Sequence, residues 1–146
     1  MNIVILASAR GESNTLEAVK QLCPVNPYEL IDLRLKRIAP YDYAHPNDEA
    51  DDFLRIVQKM VAADTIVFAT PVYWYAMSGL MKVFFDRFSE LLSTHKPLGK
   101  ALQGKRTFLI SSGYDAELPP GFEVPFKMTS EYFKMEYVKA FYLVCK

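Results

Sequence analysis

The sequence predicts a single α/β domain: a doubly wound, five-stranded parallel sheet in the order 2-1-3-4-5 with helices on both faces. Three observations point there. Strand-length apolar runs alternate with stretches of helical spacing, the mark of βα units around a parallel sheet. Those runs are apolar almost without interruption, as strands covered on both faces must be. The chain has 146 residues, 51% hydrophobic and 23% charged, which suits one compact core and excludes a disordered chain.

The first strand is Asn2 to Ala7, a buried central strand by its composition. Leu16, Val19 and Leu22 give Thr15 to Leu22 a helical stripe, with Asn14 as the expected N-cap and Glu17 three residues on, before Pro24 stops it. Tyr28 to Leu33 is the second strand, followed by a loop over Lys36–Asp48. Phe53, Val57, Met60 and Val61 mark a second helix, begun by Asp51 and Asp52, whose charges suit a helix start.

Thr65 to Thr70 (TIVFAT) is the most strand-like run, and Pro71 is expected to end it. Leu80, Phe84, Phe88 and Leu91 form a stripe beside a second row, Met81, Phe85 and Leu92, so the third helix should be buried broadly. His95 to Lys105 reads as a loop with two glycines. Arg106 to Ser111 is the fourth strand, Tyr114 to Gly121 a turn region, and Phe122 to Met135 a helix with Pro125 near its start. Tyr137 to Val144 is the fifth strand, with Val138, Ala140, Tyr142 and Val144 alternating against Tyr137, Phe141 and Leu143. It is expected to be largely buried on both sides, and no fifth helix follows it.

Several functions are excluded early. Seventeen Lys and Arg balance 17 Asp and Glu, leaving no field for a nucleic-acid backbone or an anionic membrane. The longest uncharged stretch, Thr65–Met81, contains Pro71 and Gly79 and is no membrane helix. The Ala7-Ser8-Ala9 triplet lacks the basic and apolar segments of a signal peptide, which places the protein in the cytoplasm. Cys23 and Cys145 form no C-x-x-C pair, and His45 and His95 are isolated, so no metal is expected.

In an open parallel sheet ligands bind beyond the carboxyl ends of the strands. After the first strand lies Ser8-Ala9-Arg10-Gly11-Glu12-Ser13-Asn14-Thr15, with hydroxyls, a guanidinium and a glycine ahead of a helix N-terminus. These parts suit a phosphate. The octet has neither the G-x-x-x-x-G-K-[ST] nor the G-x-G-x-x-G spacing, which disfavours ATP-hydrolysing and dinucleotide-binding loops. After the third strand, Pro71-Val72-Tyr73-Trp74-Tyr75 sets three rings in a loop, at least one of which should turn inward while the rest face a flat ligand. After the fourth, Ser111-Ser112-Gly113-Tyr114-Asp115 adds hydroxyls and another ring. Together they suit a mononucleotide with a large planar base. A phosphorylated receiver domain would need aspartates at strand ends that read Leu6-Ala7-Ser8 and Ala69-Thr70-Pro71.

In S-A-R-G-E-S-N-T, A-D-T-I-V-F-A-T-P-V-Y-W, the F-F-D-R helix and I-S-S-G-Y-D, nearly the whole chain resembles the flavodoxin-like NAD(P)H-dependent FMN reductases and their quinone-reductase relatives. The resemblance implies a flavodoxin-like fold lacking its C-terminal fifth helix, bound FMN, and NADH or NADPH as co-substrate. It implies electron transfer to a quinone, free flavin or similar acceptor. With no helix after the fifth strand, one apolar face of the sheet is expected to be covered by a second copy in a homodimer, as the resemblance also implies, or else by the His95–Lys105 loop. Ser8, Arg10, Ser13, Asn14 and Thr15 would hold the FMN phosphate. Pro71, Val72, Tyr73 and Trp74 would border the isoalloxazine, and Ser112, Gly113 and Tyr114 would close its other side. Pro40–Pro46, where some relatives carry cysteines, has none and builds no iron-sulfur cluster. Hydride chemistry belongs to the flavin, so no catalytic side chain is named. The alternatives are a flavodoxin-like electron carrier, against which the zero net charge counts, and a cofactor-free interaction domain.

Overall fold

Long apolar runs with no polar alternation can only be buried if both faces of the sheet are covered, and the fold supplies two layers. The computed structural model describes residues 1–44 and 51–146; His45 and residues 46–48 of the expected loop lie outside the described residues. Strands β1 (Asn2–Leu6), β2 (Glu29–Asp32), β3 (Thr65–Pro71), β4 (Arg106–Gly113) and β5 (Glu136–Val144) form one sheet in the order β2-β1-β3-β4-β5. All pairs are parallel, with Leu6 beside Asp32 and Ala69, and Thr70 beside Ser111. This is the flavodoxin-like order the sequence predicts. All seven residues of β3 are buried, as befits the middle strand, and Pro71 is its last residue rather than its stop.

Helices α2 (Phe53–Ala62), α3 (Gly79–Asp86) and α5 (Val124–Tyr132) contribute buried residues to one layer. Phe53, Ile56, Val57 and Met60 recur at i, i+3, i+4 and i+7 and bury α2's inner stripe. Phe84 touches Phe53, Phe85 and Phe88 in a cluster of tilted and edge-on rings. On the other side α1 (Asn14–Leu22) lays Ala18 and Val19 over Val4, Leu6, Val67, Ala69, Phe108 and Ile110.

Four expectations need correction. The third helix turns to 3-10 winding over Arg87–Leu92. Leu80 is exposed in the first turn of α3, and beyond the change of winding Leu92 is exposed while Phe88 and Leu91 stay buried. The expected loop after it holds α4 (Lys96–Ala101), so the chain has five helices among the described residues although none follows β5. A Cβ at Gly99 would meet the Leu91 carbonyl oxygen at 2.4 Å, which is why a glycine lies inside this short helix. Leu98 and Leu102 join the α2 layer, so this segment does not cover the α1 face.

β5 is nowhere fully buried, because it is an edge strand beside a single helix on the α1 side. Its register slips at Thr107/Phe108, which pair with Tyr137 and Lys139 and leave Val138 as an extra, exposed residue. The bulge moves Tyr137 to the α5 side with Ala140, where its hydroxyl donates to Glu123 at 2.6 Å. Phe141 and Leu143 remain on the α1 side, half-buried.

Asp51 and Asp52 are structural, by another route than a helix dipole. The Asp51 carboxylate is buried, accepts from the N–H groups of Ala39 and Phe53, and pairs with Arg87, which also pairs with Glu90 and donates to the Ala39 carbonyl at 2.9 Å. Burial pushes the Asp51 carboxyl up, but Arg87 and the two N–H groups outweigh it and hold it below the usual carboxylate range. Asp52 accepts from the Arg37 N–H and pairs with Arg55.

Candidate functional site

The carboxyl ends of β1, β3 and β4 bring the three predicted loops to one rim. In the first, Ser8 is buried while Arg10 is exposed and makes no hydrogen bond or ion pair among the described residues. Ser13, not Asn14, is the N-cap of α1: its backbone is extended (φ −141°, ψ 159°) and its Oγ accepts from Leu16 N–H at 3.1 Å. Asn14 is the first helical residue and is exposed. Both residue types cap helices well, so only the backbone geometry decides between neighbours. Because Ser13 uses its oxygen as acceptor, its own O–H remains free to donate. Among the described residues, the N–H groups from Ala9 to Thr15 have no acceptor.

Thr15 and Ser112 are both buried, and their hydroxyls share a hydrogen bond of 2.8 Å that ties the first turn of α1 to the end of β4. One O–H of the pair is spent on the other, so the two offer a single donor to a ligand. Gly113, the last residue of β4 and part of the third loop, faces the second loop: a Cβ there would stand 2.7 Å from the Tyr142 hydroxyl and 3.3 Å from Val72. Close packing, not backbone freedom, favours glycine at this point. Tyr114 is exposed beyond it.

The middle loop is a tight hairpin. Tyr73 and Ala76 exchange N–H···O bonds of 2.8 and 3.1 Å, and the two tip residues, Trp74 and Tyr75, have φ of 50° and 69°. Positive φ at both central positions is the type I′ geometry. The expectation that one ring turns inward fails: Tyr73, Trp74 and Tyr75 are all exposed, Trp74 at 92%. With only two residues at the tip, the turn directs both side chains away from the sheet.

Side-chain hydrogen bonds between residues distant in the chain tie these loops together. Ser78 caps α3 by accepting from Met81 N–H at 3.2 Å and donates its O–H to the Ala7 carbonyl at 2.7 Å. Its N–H donates to Thr70 Oγ1 at 2.9 Å, and Ser111 Oγ donates to the Thr70 carbonyl at 2.6 Å. The local signal is a hydroxyl near the ends of β3 and β4, at Thr70, Ser111 and Ser112, whereas Ser78, seven residues past β3, carries no such signal. Arg34 was also missed. It follows β2, and its guanidinium lies across Gly11, so a Cβ at that glycine would stand 2.9 Å from Nη2.

The description NADPH-dependent FMN reductase fits residues 1–118 as a family match, a span that takes in all three loops. Among curated relatives, the chain is similar to YwqN of Bacillus subtilis, by name an NAD(P)H-dependent FMN-containing oxidoreductase. The two are 33% identical over 67 residues, 44% of this chain and 37% of that protein. It is also similar to an FMN-dependent NADH:quinone oxidoreductase of Stenotrophomonas maltophilia, 28% identical over 133 residues, 86% of this chain and 65% of that one. The matched stretches span from 24% to 65% of the curated relatives' own lengths. A solved structure, the Trp repressor binding protein of Bacillus subtilis, superposes with a TM-score of 0.80 at 21% identity, covering 100% of this chain and 85% of its own.

Proposed function

The chain belongs to the NADPH-dependent FMN reductase family, and from that premise we propose that it binds FMN at the rim of β1, β3 and β4 and uses it as an oxidoreductase. FMN, when bound, supplies hydride acceptance from NADH or NADPH and onward electron transfer, here to a quinone, free flavin or similar small acceptor. The chain's own residues supply position and polarity.

One observation carries the reading: a set of unpaired donors suited to a phosphate and a set of exposed rings suited to a flat heterocycle are held at one rim by side-chain hydrogen bonds. The N–H groups from Ala9 to Thr15 have no partner among the described residues, and the α1 dipole favours an anion there. Ser8, Arg10, Ser13, Asn14 and Thr15 are the phosphate ligands in this reading. Pro71, Val72, Tyr73 and Trp74 border the ring system, and Ser112, Gly113 and Tyr114 close its other side. The close packing of Gly113 against Val72 sets how near the second and third loops stand.

The reading includes a cytoplasmic location, where the nicotinamide nucleotides are at hand, and a homodimer. No helix among the described residues is long and apolar enough to cross a membrane.

Titration of the apoprotein with FMN and with riboflavin tests the reading. Three or four hydrogen bonds to phosphate, each worth ~1 kcal/mol, with more from Arg10, amount to roughly 3–5 kcal/mol in favour of FMN. Equal affinities would reduce the first loop to a helix cap. NADH and NADPH oxidation by the FMN-loaded protein, with a quinone or free flavin as acceptor, tests the activity, and no turnover with either nucleotide would refute it.

A further inference from the structure

The phosphate loop has the wrong charge for its ligand. Between Ser8 and Glu17 the chain carries one cation, Arg10, against two carboxylates, Glu12 and Glu17, a net of −1. A phosphate monoester near neutral pH brings close to two more negative charges. Helix-terminal N–H groups offset part of this, but they are partial charges. Arg10 itself is exposed and held by nothing among the described residues, so it must lose side-chain freedom to bind.

A second cation stands beside the loop, supplied by the turn after a different strand, and although its partner Asp32 balances its formal charge, its guanidinium brings N–H donors against the loop from outside it. β2 ends at Asp32, which pairs in register with Leu6 of β1 and so delivers the following turn to the side of the first loop. Asp32 caps the 3-10 turn Leu33–Leu35 by accepting Arg34 N–H at 3.0 Å, and its other oxygen lies 3.6 Å from Arg34 Nη2. One carboxylate thus fixes the backbone of Arg34 by a hydrogen bond and draws its head by charge. The guanidinium reaches the first loop at Gly11, where Nη2 occupies space that any Cβ would contest. Arg34 therefore has an ion-pair partner and a seat against the loop that Arg10 lacks, and part of its side chain is still open to solvent.

We propose that Arg34 is a second, pre-oriented cation of the phosphate site, reaching across Gly11 to the FMN phosphate, with Asp32 as its positioning residue and Gly11 as the gap that admits it. This rests on the proposed FMN site and adds a residue to it from outside the loop. It also explains the glycine. Charge-assisted contacts of a guanidinium to a phosphate are among the stronger hydrogen bonds, and Arg34 already rests against the loop.

The test is equilibrium titration of the apoproteins of wild type, Arg34→Ala, Arg34→Lys and Gly11→Ala with FMN and with riboflavin, followed by flavin fluorescence. Thermal unfolding of each variant is recorded alongside. The expected result for Arg34→Ala is a roughly 10- to 100-fold weaker FMN affinity with riboflavin affinity within about twofold of wild type. Arg34→Lys should recover part of the loss, since it restores the charge without the fork. Gly11→Ala should show a smaller loss of the same FMN-specific kind, because a flexible side-chain end can shift. An unchanged FMN-to-riboflavin ratio in Arg34→Ala, or an equal loss for both ligands, would overturn the proposal and leave Arg34 as a loop staple. Failure of the site itself reads differently: wild type would then bind FMN and riboflavin equally.

Discussion

The hairpin tip at Trp74 and Tyr75 stores backbone strain that a substitution can release. An L-residue with a left-handed backbone gives up roughly 1–2 kcal/mol, and two adjacent ones, at φ of 50° and 69°, give up about 2–3 kcal/mol together. The pair that suits this turn is Asn-Gly. Trp74→Asn/Tyr75→Gly therefore recovers most of the strain. Glycine returns about 0.5–1 kcal/mol through the freer unfolded chain. Because Trp74 is 92% exposed, its removal forfeits little burial. The net expectation is a gain of roughly 1–2 kcal/mol, or about 3–6 °C in the apoprotein's Tm. Ring binding should move the other way: each lost aromatic contact costs ~0.5–1.5 kcal/mol beyond its area, so flavin affinity should fall several-fold. Differential scanning fluorimetry of the apoprotein and titration with FMN read the two effects separately. A double variant no more stable than wild type would refute the strain argument, and one that binds FMN as tightly as wild type would remove the rings from the site.

Arg87→Met strands two buried carboxylates, Asp51 and Glu90, and should cost about 3–5 kcal/mol at pH 7. In wild type the Asp51 carboxyl is held low, so its contribution is present above the unfolded carboxylate range and is lost as pH falls through the lower folded value. Without Arg87 burial dominates and raises it, so urea midpoints should show the gap to wild type narrowing from pH 7 to pH 5; a constant gap would show that the carboxylates are not buried in solution. On the α1 face of β5 Phe141 and Leu143 are only half-buried, an apolar edge that a second copy would cover in the homodimer reading. Sedimentation of dilute protein should give a dimer, and a monomer that binds no hydrophobic dye would refute it.

The sequence displayed what depends on composition within one run. β3 is seven buried residues in a row, and α2's stripe recurs at helical spacing, so each announces itself. The three loops were legible for the same reason, as polar or aromatic clusters directly after such runs. What escaped depends on partners distant in sequence. The six residues of α4, Lys-Pro-Leu-Gly-Lys-Ala, have no periodicity, and the helix is settled by Gly99 packing on the Leu91 carbonyl. The side on which Tyr137 falls depends on a bulge against β4, which strict alternation cannot foresee. Arg34 reads as one of several cations after β2, and only the pairing of Asp32 with Leu6 carries it to Gly11.

The ties at the rim show why stability and site geometry are hard to separate here. Where parallel strands end, backbone carbonyls point past the last ladder bond and need partners. Ala7 presents such a carbonyl and Ser78 satisfies it with its hydroxyl, while Ser111 adds a hydroxyl bond to the Thr70 carbonyl within the β3–β4 ladder. These bonds also fix distances. Ser78 binds the end of β1 to the start of α3, so the turn carrying Trp74 cannot drift from the first loop. Ser111 holds β4 to β3, and Thr15 with Ser112 closes the circuit back to α1. Two requirements therefore fall on the same small side chains: no orphaned carbonyl beneath the rim, and a constant spacing between phosphate donors and rings. An alanine at Ser78 would remove an N-cap, leave the Ala7 carbonyl without its hydroxyl donor and free the ring loop at once. Its effect on cofactor binding would then have to be read against the lost stability rather than taken as a contact with the cofactor.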